Sequence, residues 1–280
     1  MEKLLKQLNF VLNQTEEILL HFNGVERQDI LTFGYCMIKR LNFAADGIKV
    51  LMDKFPSNVP LEYSVGIIMR SVFLDFLISL NAAAIIDKYT DLQDLIINSG
   101  KDIATINNNL SDLKEKQFAE LGEFCSTMLT DSVAFTLRDF GRLYPAASKV
   151  QKINFYSNLV NSLPERFMPY KNDGSVPKLI SQQRYSTDEL FKRIKNSKRL
   201  SGLQSIVDAY SYYSKYDHFG QMFLPLSDQA AIKKLEMVSK GVDVFPRSML
   251  FVLMIFAVNN QNDLFFTDKI KMTTEFMDNL

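Results

Sequence analysis

The amino-acid sequence predicts an all-α protein, an irregular multi-helix bundle of about ten helices. Apolar residues recur at helical spacing along most of the 280-residue chain. No Asn-Gly or Asp-Gly pair joins two segments of alternating polarity, which is the usual signature of a β-hairpin. The connections between the long amphipathic segments are short, and this favours antiparallel helices packed as neighbours.

The helices are bounded by residues that stop or start helical structure. Phe55-Pro56 ends the second helix, Gly100 ends a short one that Asp91 opens, and Pro145 ends the longest. Ser186 and Glu189 form a capping box before a basic helix. The predicted helices are residues 4–19, 27–54, 61–89, 92–98, 101–143, 148–162, 190–196, 200–218, 228–240, 247–258 and 268–277.

The chain is expected to form a single domain over residues 1–280, with a loop-rich insertion at about 164–186. Three prolines and a glycine interrupt that insertion, and the helices on both sides look too apolar to fold alone. The first half of the 101–143 helix is polar, which indicates that it projects past the core or lies on its surface.

Composition indicates a cytoplasmic protein with no general attraction to nucleic acid or to an anionic membrane. Lys plus Arg and Asp plus Glu balance at 32 each. Cys36 and Cys125 are far apart and lie in helical patterns, as expected of reduced, buried thiols. Charges interrupt the leucines at the start of the chain, so we expect a first helix there and no signal peptide.

The most informative stretch is Val65–Ile86, which is almost wholly apolar yet contains Arg70 and Asp75. The run is long enough to span a membrane, but its polar residues favour a buried core helix, with membrane insertion as a minor alternative and no membrane partner expected. A buried charge needs a partner. Asp75 lies about 140° around the helix from Arg70, on a stripe with Ser71 and Ser79, so two polar faces each meet a neighbour.

Ser214 and His218 are the expected partners of Arg70, because they share one face of a later aromatic helix. Two interpretations of these residues stay open. Arg70 and Asp75 either belong to satisfied structural ion pairs or line a cleft that binds an anion or catalyses a reaction. His218 either serves acid–base chemistry or lies at a helix end favoured by the macrodipole, as His21 does.

The segment 178–199 is locally basic and includes Arg184, Lys192 and Arg193. It either binds phosphate or RNA or is a solvated helix face. The chain has two histidines and two separated cysteines, so no metal site is expected, and no phosphate-binding loop or nucleophile motif predicts a cofactor or a covalent mechanism.

Two short motifs carry a family resemblance. The helix M-R-S-V-F-L-D-F (Met69–Phe76) and the later Y-Y-S-K-Y-D-H (Tyr212–His218) resemble "R-S-x-x-E" and "S-x-x-x-H" helices of uncharacterised bacterial proteins that are grouped with the HEPN superfamily. The resemblance implies a helical bundle that handles nucleotide or RNA, with Arg70, Asp75 and His218 as its polar residues. Position 75 is Asp instead of Glu, and no Arg lies four to six residues before His218, so the ribonuclease signature is absent.

These observations predict a non-catalytic binding or regulatory protein with a polar cleft formed by Arg70, Asp75, Ser214 and His218. Its expected ligand is an anion, a nucleotide or RNA. The first alternative is a HEPN-like enzyme that cleaves RNA, with His218 as general acid or base and Arg70 stabilising phosphate charge. The second is a helical scaffold that forms a homo-oligomer and has no ligand site.

Overall fold

The computed structural model describes residues 2–23, 29–52, 60–148, 150–151, 154, 187–197, 200, 238–239, 241–260 and 263–280. Of these residues, 89% are helical, and this part of the chain contains no β-strand. The prediction of an all-α fold is therefore confirmed for the described residues. The count of about ten helices is not, because seven are described.

The seven helices are α1 (Glu2–His21), α2 (Asp29–Met52), α3 (Pro60–Ile97), α4 (Ile103–Leu143), α5 (Thr187–Asn196), α6 (Val244–Asn259) and α7 (Leu264–Asp278). The helices predicted at 148–162, 200–218 and 228–240 fall almost entirely outside the described residues, as do the loop-rich 164–186 segment and the cap residue Ser186.

Helix α6 occupies the centre of the core and packs against α1, α2, α3 and α7. Its apolar sequence explains this position, since a helix that is hydrophobic on all sides must be covered on all sides. Phe256 on α6 packs with Phe22 and Phe266 and is fully buried. A Cβ atom at Gly34 would overlap the Phe256 ring, so the glycine lets α2 approach α6 closely.

Polar and aromatic contacts hold the C-terminal helix α7 against α1. The buried Lys269 ammonium donates to the amide oxygen of Gln14 and to a carboxylate oxygen of Glu17. Phe10 and Phe276 stack with ring centroids 3.8 Å apart. These contacts come from the middle and the C-terminal end of α7, which explains how a helix with few buried residues stays attached.

The predicted helix boundaries differ most from the structure at two places. The break predicted between residues 89 and 92 does not occur, and α3 continues to Ile97. Neither Pro nor Gly interrupts this stretch, and the Thr90 hydroxyl donates to the Ile86 carbonyl within the helix. The last helix begins at Leu264, four residues before the predicted start, because the Asp263 side chain caps it by accepting from Phe265 N–H.

Helices α3 and α4 form a long hairpin whose two ends differ. Residues from Val65 to Tyr89 of α3 lie mostly in the core, whereas residues 91–112, which we call the hairpin tip, have no buried side chain. Helix α4 enters the core again at Leu121. The polar first half of α4 is therefore mostly exposed, as its composition predicted.

One described stretch, Val65–Ile97, is long and apolar enough to cross a membrane. A core helix of a soluble protein passes the same test. In the stretch Val65–Ile97, 67% of the most apolar window is buried inside the protein.

Candidate functional site

The buried carboxylate of Asp75 is paired with Arg40 of α2, and the pair joins α2 to α3. The Nε–H of Arg40 donates to Asp75 Oδ2 at 2.8 Å, and its Nη2 donates to Ser71 Oγ at 3.1 Å. Ser79 Oγ donates to the Asp75 carbonyl at 2.9 Å, one turn further along α3. The predicted polar stripe therefore meets a neighbouring helix at Ser71 and Asp75, while Ser79 bonds within α3. We call Arg40, Ser71 and Asp75 the α2–α3 polar cluster.

Burial and charge act on Asp75 in opposite directions. Burial raises the pKa of the Asp75 carboxyl above its ordinary value of 3.8, while the Arg40 guanidinium lowers it, and burial is the larger effect. The same carboxylate raises the pKa of Arg40. The two side chains are thus complementary in charge, and the carboxyl group is the member that loses most hydration.

Arg40 reaches the surface although its partner does not. Its side chain is 50% exposed, whereas that of Asp75 is 12% exposed. A guanidinium has five N–H donors. Within the described part of the chain, two of these donors are used, on Asp75 and Ser71, and the two N–H groups of Nη1 and one of Nη2 have no protein acceptor. Asp75 therefore fixes the orientation of a guanidinium whose outer edge faces away from its partner.

The structure places only some of the predicted site residues. Arg70 is half-buried beside Ser71 in sequence and makes contacts of its own, but Asp75 pairs with Arg40. Ser214, His218 and Arg184 lie outside the described residues. The predicted contact between Arg70 and His218, and the RNA-cleaving alternative that depends on it, therefore stay predictions.

The predicted basic residues Lys192 and Arg193 are exposed on α5, which packs against α3. Arg193 lies 6.0 Å from the ring centroid of Phe124. Asn81 of α3 donates to the Leu190 carbonyl at 3.1 Å, which fixes α5 in place. Arg193 therefore has a packing role here, in addition to its charge.

A second polar cluster lies beside α5, where Glu120 of α4 accepts from Lys88 at 2.6 Å and from Tyr89 at 2.8 Å. Burial opposes ionisation of Glu120, but these two hydrogen bonds and the charges of Lys88 and Arg193 outweigh it and lower the pKa of Glu120. Burial and the bond to Glu120 raise the pKa of Tyr89 to about 12. This cluster fastens α3 to α4 where both leave the core.

Among the residues that the structure describes, the cysteines are wholly or partly shielded from solvent and the acidic groups form no metal-ligand cluster. Cys125 is buried, and burial raises the pKa of its thiol, so it is a poor nucleophile; Cys36 is half-buried. In the residues that the structure describes, no three His, Cys, Asp or Glu side chains are grouped as metal ligands.

Sequence reasoning missed Arg40. The polar stripe around Asp75 indicated that a partner exists, but an ion pair between residues 35 positions apart has no local signature. Arg40 follows Lys39 and resembles an ordinary solvated pair of cations. The one available signal was its place one turn after Cys36 and one turn before Ala44, beside the apolar face of α2.

Comparisons of the chain with protein-family models, with curated proteins and with solved structures find no match.

Proposed function

We propose that this protein is a non-catalytic helical binding protein that takes a phosphate-bearing anion at the α2–α3 polar cluster. The observation that carries the proposal is the half-exposed guanidinium of Arg40, which a buried carboxylate holds in one orientation. Free phosphate, nucleotides and RNA are the ligand classes that present a phosphate group.

The N–H donors of Arg40 are better suited to bind phosphate than a single point charge, such as a lysine ammonium, would be. The donors that no described residue accepts are on the two terminal nitrogens, Nη1 and Nη2, which form the fork that binds two oxygens of a phosphate or carboxylate side by side. Because Asp75 and Ser71 already restrict the side chain, less conformational entropy is lost when an anion binds.

The local charge supports the same ligand class. Lys39 adjoins Arg40 in sequence and adds a positive charge to a cluster whose own charges cancel. The exposed acid of α2 nearest in sequence is Asp46, which is six residues, or about 9 Å of helix, beyond Arg40. An anion at the Arg40 fork therefore experiences a net positive environment.

The test follows the side-chain Nε–H signal of Arg40 by NMR while inorganic phosphate, AMP, ATP or a short single-stranded RNA is added in separate titrations. We expect a saturable shift of this signal with at least one probe. We also expect Arg40→Lys to weaken that binding by about tenfold or more, because lysine keeps the charge but lacks the fork.

Arg247→Lys is the matched control, since Arg247 is exposed on α6 and its replacement should leave the affinity unchanged. Equal affinities of Arg40→Lys and wild type would show that the cluster is only a structural ion pair. An unperturbed Arg40 signal at tens of millimolar phosphate would have the same meaning. Where binding is observed, the probe with the highest affinity shows whether the ligand is free phosphate, a nucleotide or RNA.

A further inference from the structure

The hairpin tip carries large apolar side chains that are left in solvent. Leu95 is 69% exposed and Ile103 is 77% exposed, and Leu92 and Ile97 are 37% and 49% exposed. Leu92, Leu95 and Ile97 lie within the last two turns of α3, and Ile103 is the first residue of α4. Single exposed aliphatic residues are ordinary, but four at one end of a hairpin are typical of a contact surface.

The same end of the hairpin is acidic. Residues 91–112 contain four aspartates, Asp91, Asp94, Asp102 and Asp112, against the single lysine Lys101. Asp102 accepts hydrogen bonds from the amide and the hydroxyl of Thr105, and these bonds lower the pKa of Asp102. The tip thus keeps a net negative charge at neutral pH, although the whole chain is neutral.

Charge distinguishes between the possible occupants of this surface. Two copies of the tip in contact would bring two sets of aspartates together, and like charges in an interface oppose association. A partner with apolar residues and lysine or arginine beside them would cover the leucines and isoleucines and also neutralise the aspartates. Interfaces of this kind gain both apolar burial and electrostatic steering.

We propose that the hairpin tip is a docking surface for a basic amphipathic helix of another protein. Helix pairs bury aliphatic residues spaced three or four apart, and Leu92 and Leu95 have this spacing at the end of α3. The surface is separate from the α2–α3 polar cluster, so the two sites can be occupied and tested independently.

The test uses a fluorescein-labelled peptide of leucine and lysine at helical spacing, about four turns long, and measures its binding by anisotropy. Wild-type protein should bind this peptide, and a leucine–glutamate peptide of the same pattern should not bind. The double variant Leu95→Ser/Ile103→Ser should lose at least about tenfold in affinity, and so should Asp94→Lys. Binding should weaken as salt is raised from about 50 to about 300 mM, because salt screens the attraction between exposed charges.

Leu20→Ser is the matched control, because Leu20 is 70% exposed on α1, far from the tip in sequence, and its replacement should leave affinity unchanged. The proposal is overturned if the control loses as much affinity as the double variant, or if the wild type does not bind at millimolar peptide. It is also overturned if sedimentation shows a wild-type dimer that Leu95→Ser/Ile103→Ser abolishes, since the occupant would then be a second copy.

Discussion

The two ends of the α3–α4 hairpin have the same secondary structure but are stabilised by different interactions. Near the core, α3 buries Phe76, Leu77 and Leu80 completely, and α6 packs against it. At the hairpin tip no side chain is buried, and the helices continue through local interactions such as the Asp102 cap. The difference indicates that stability resides in the first region, while the second is available for contacts outside the chain.

The largest expected effect is that of Phe256→Ala, on helix α6, which packs against the core end of the hairpin. Phe256 is fully buried among aromatic rings, so truncation removes its burial and leaves a cavity, which we expect to cost about 3–5 kcal/mol. The measurement is urea unfolding followed by circular dichroism, with an unchanged m value. A loss below about 1 kcal/mol would mean that α6 is not the centre of the core.

The helical fold could be predicted from the sequence because its signal is local. The spacing of apolar residues defined α1, α2, α4 and most of α3, since each helix needs one continuous covered face. The predicted break near Tyr89 was wrong because polarity increases there without any change of backbone conformation. A helix that leaves the core looks, in sequence, like a helix that ends.

The candidate site could be predicted only in part because an ion pair between helices is not local. The polar stripe on α3 was sufficient to show that Asp75 meets a partner. The choice of Arg40 depends on how α2 and α3 pack, and neither helix encodes this packing alone. The predicted contact between Arg70 and His218 was also a long-range inference, and it stays a prediction.

The second largest effect should come from Arg40→Ala, which leaves the Asp75 carboxyl buried without its counter-ion. We expect a loss of about 2–3 kcal/mol at pH 7, below the range for deeply buried pairs because Arg40 is half-exposed. Burial raises the folded-state pKa of Asp75, so the stability that this group contributes is present below its ordinary value of 3.8 and is lost as pH rises through the folded pKa.

Removal of Arg40 raises that folded pKa further. The variant and the wild type should therefore differ little below the ordinary carboxyl pKa of 3.8, where both carboxyls are protonated, and most once the pH exceeds the folded pKa of Asp75 in the variant. Thermal unfolding across this pH range measures the effect. Asp75→Asn in the Arg40→Ala background is the control and should abolish the pH-dependent part of the difference. A loss that is the same at every pH would mean that Arg40 contributes packing and not charge.

The smallest effect should come from the hairpin tip, where Leu95→Ser/Ile103→Ser replaces two exposed aliphatic side chains. We expect the free energy of unfolding to change by no more than about 0.5 kcal/mol, because the substitutions remove little buried area. Hydrogen exchange should show tip amides that open locally in both proteins, while amides of α3 near Phe76 exchange only through global unfolding. If the double variant lost stability like a core variant, the tip would be part of the cooperative core, and the contrast between the two ends of the hairpin would be wrong.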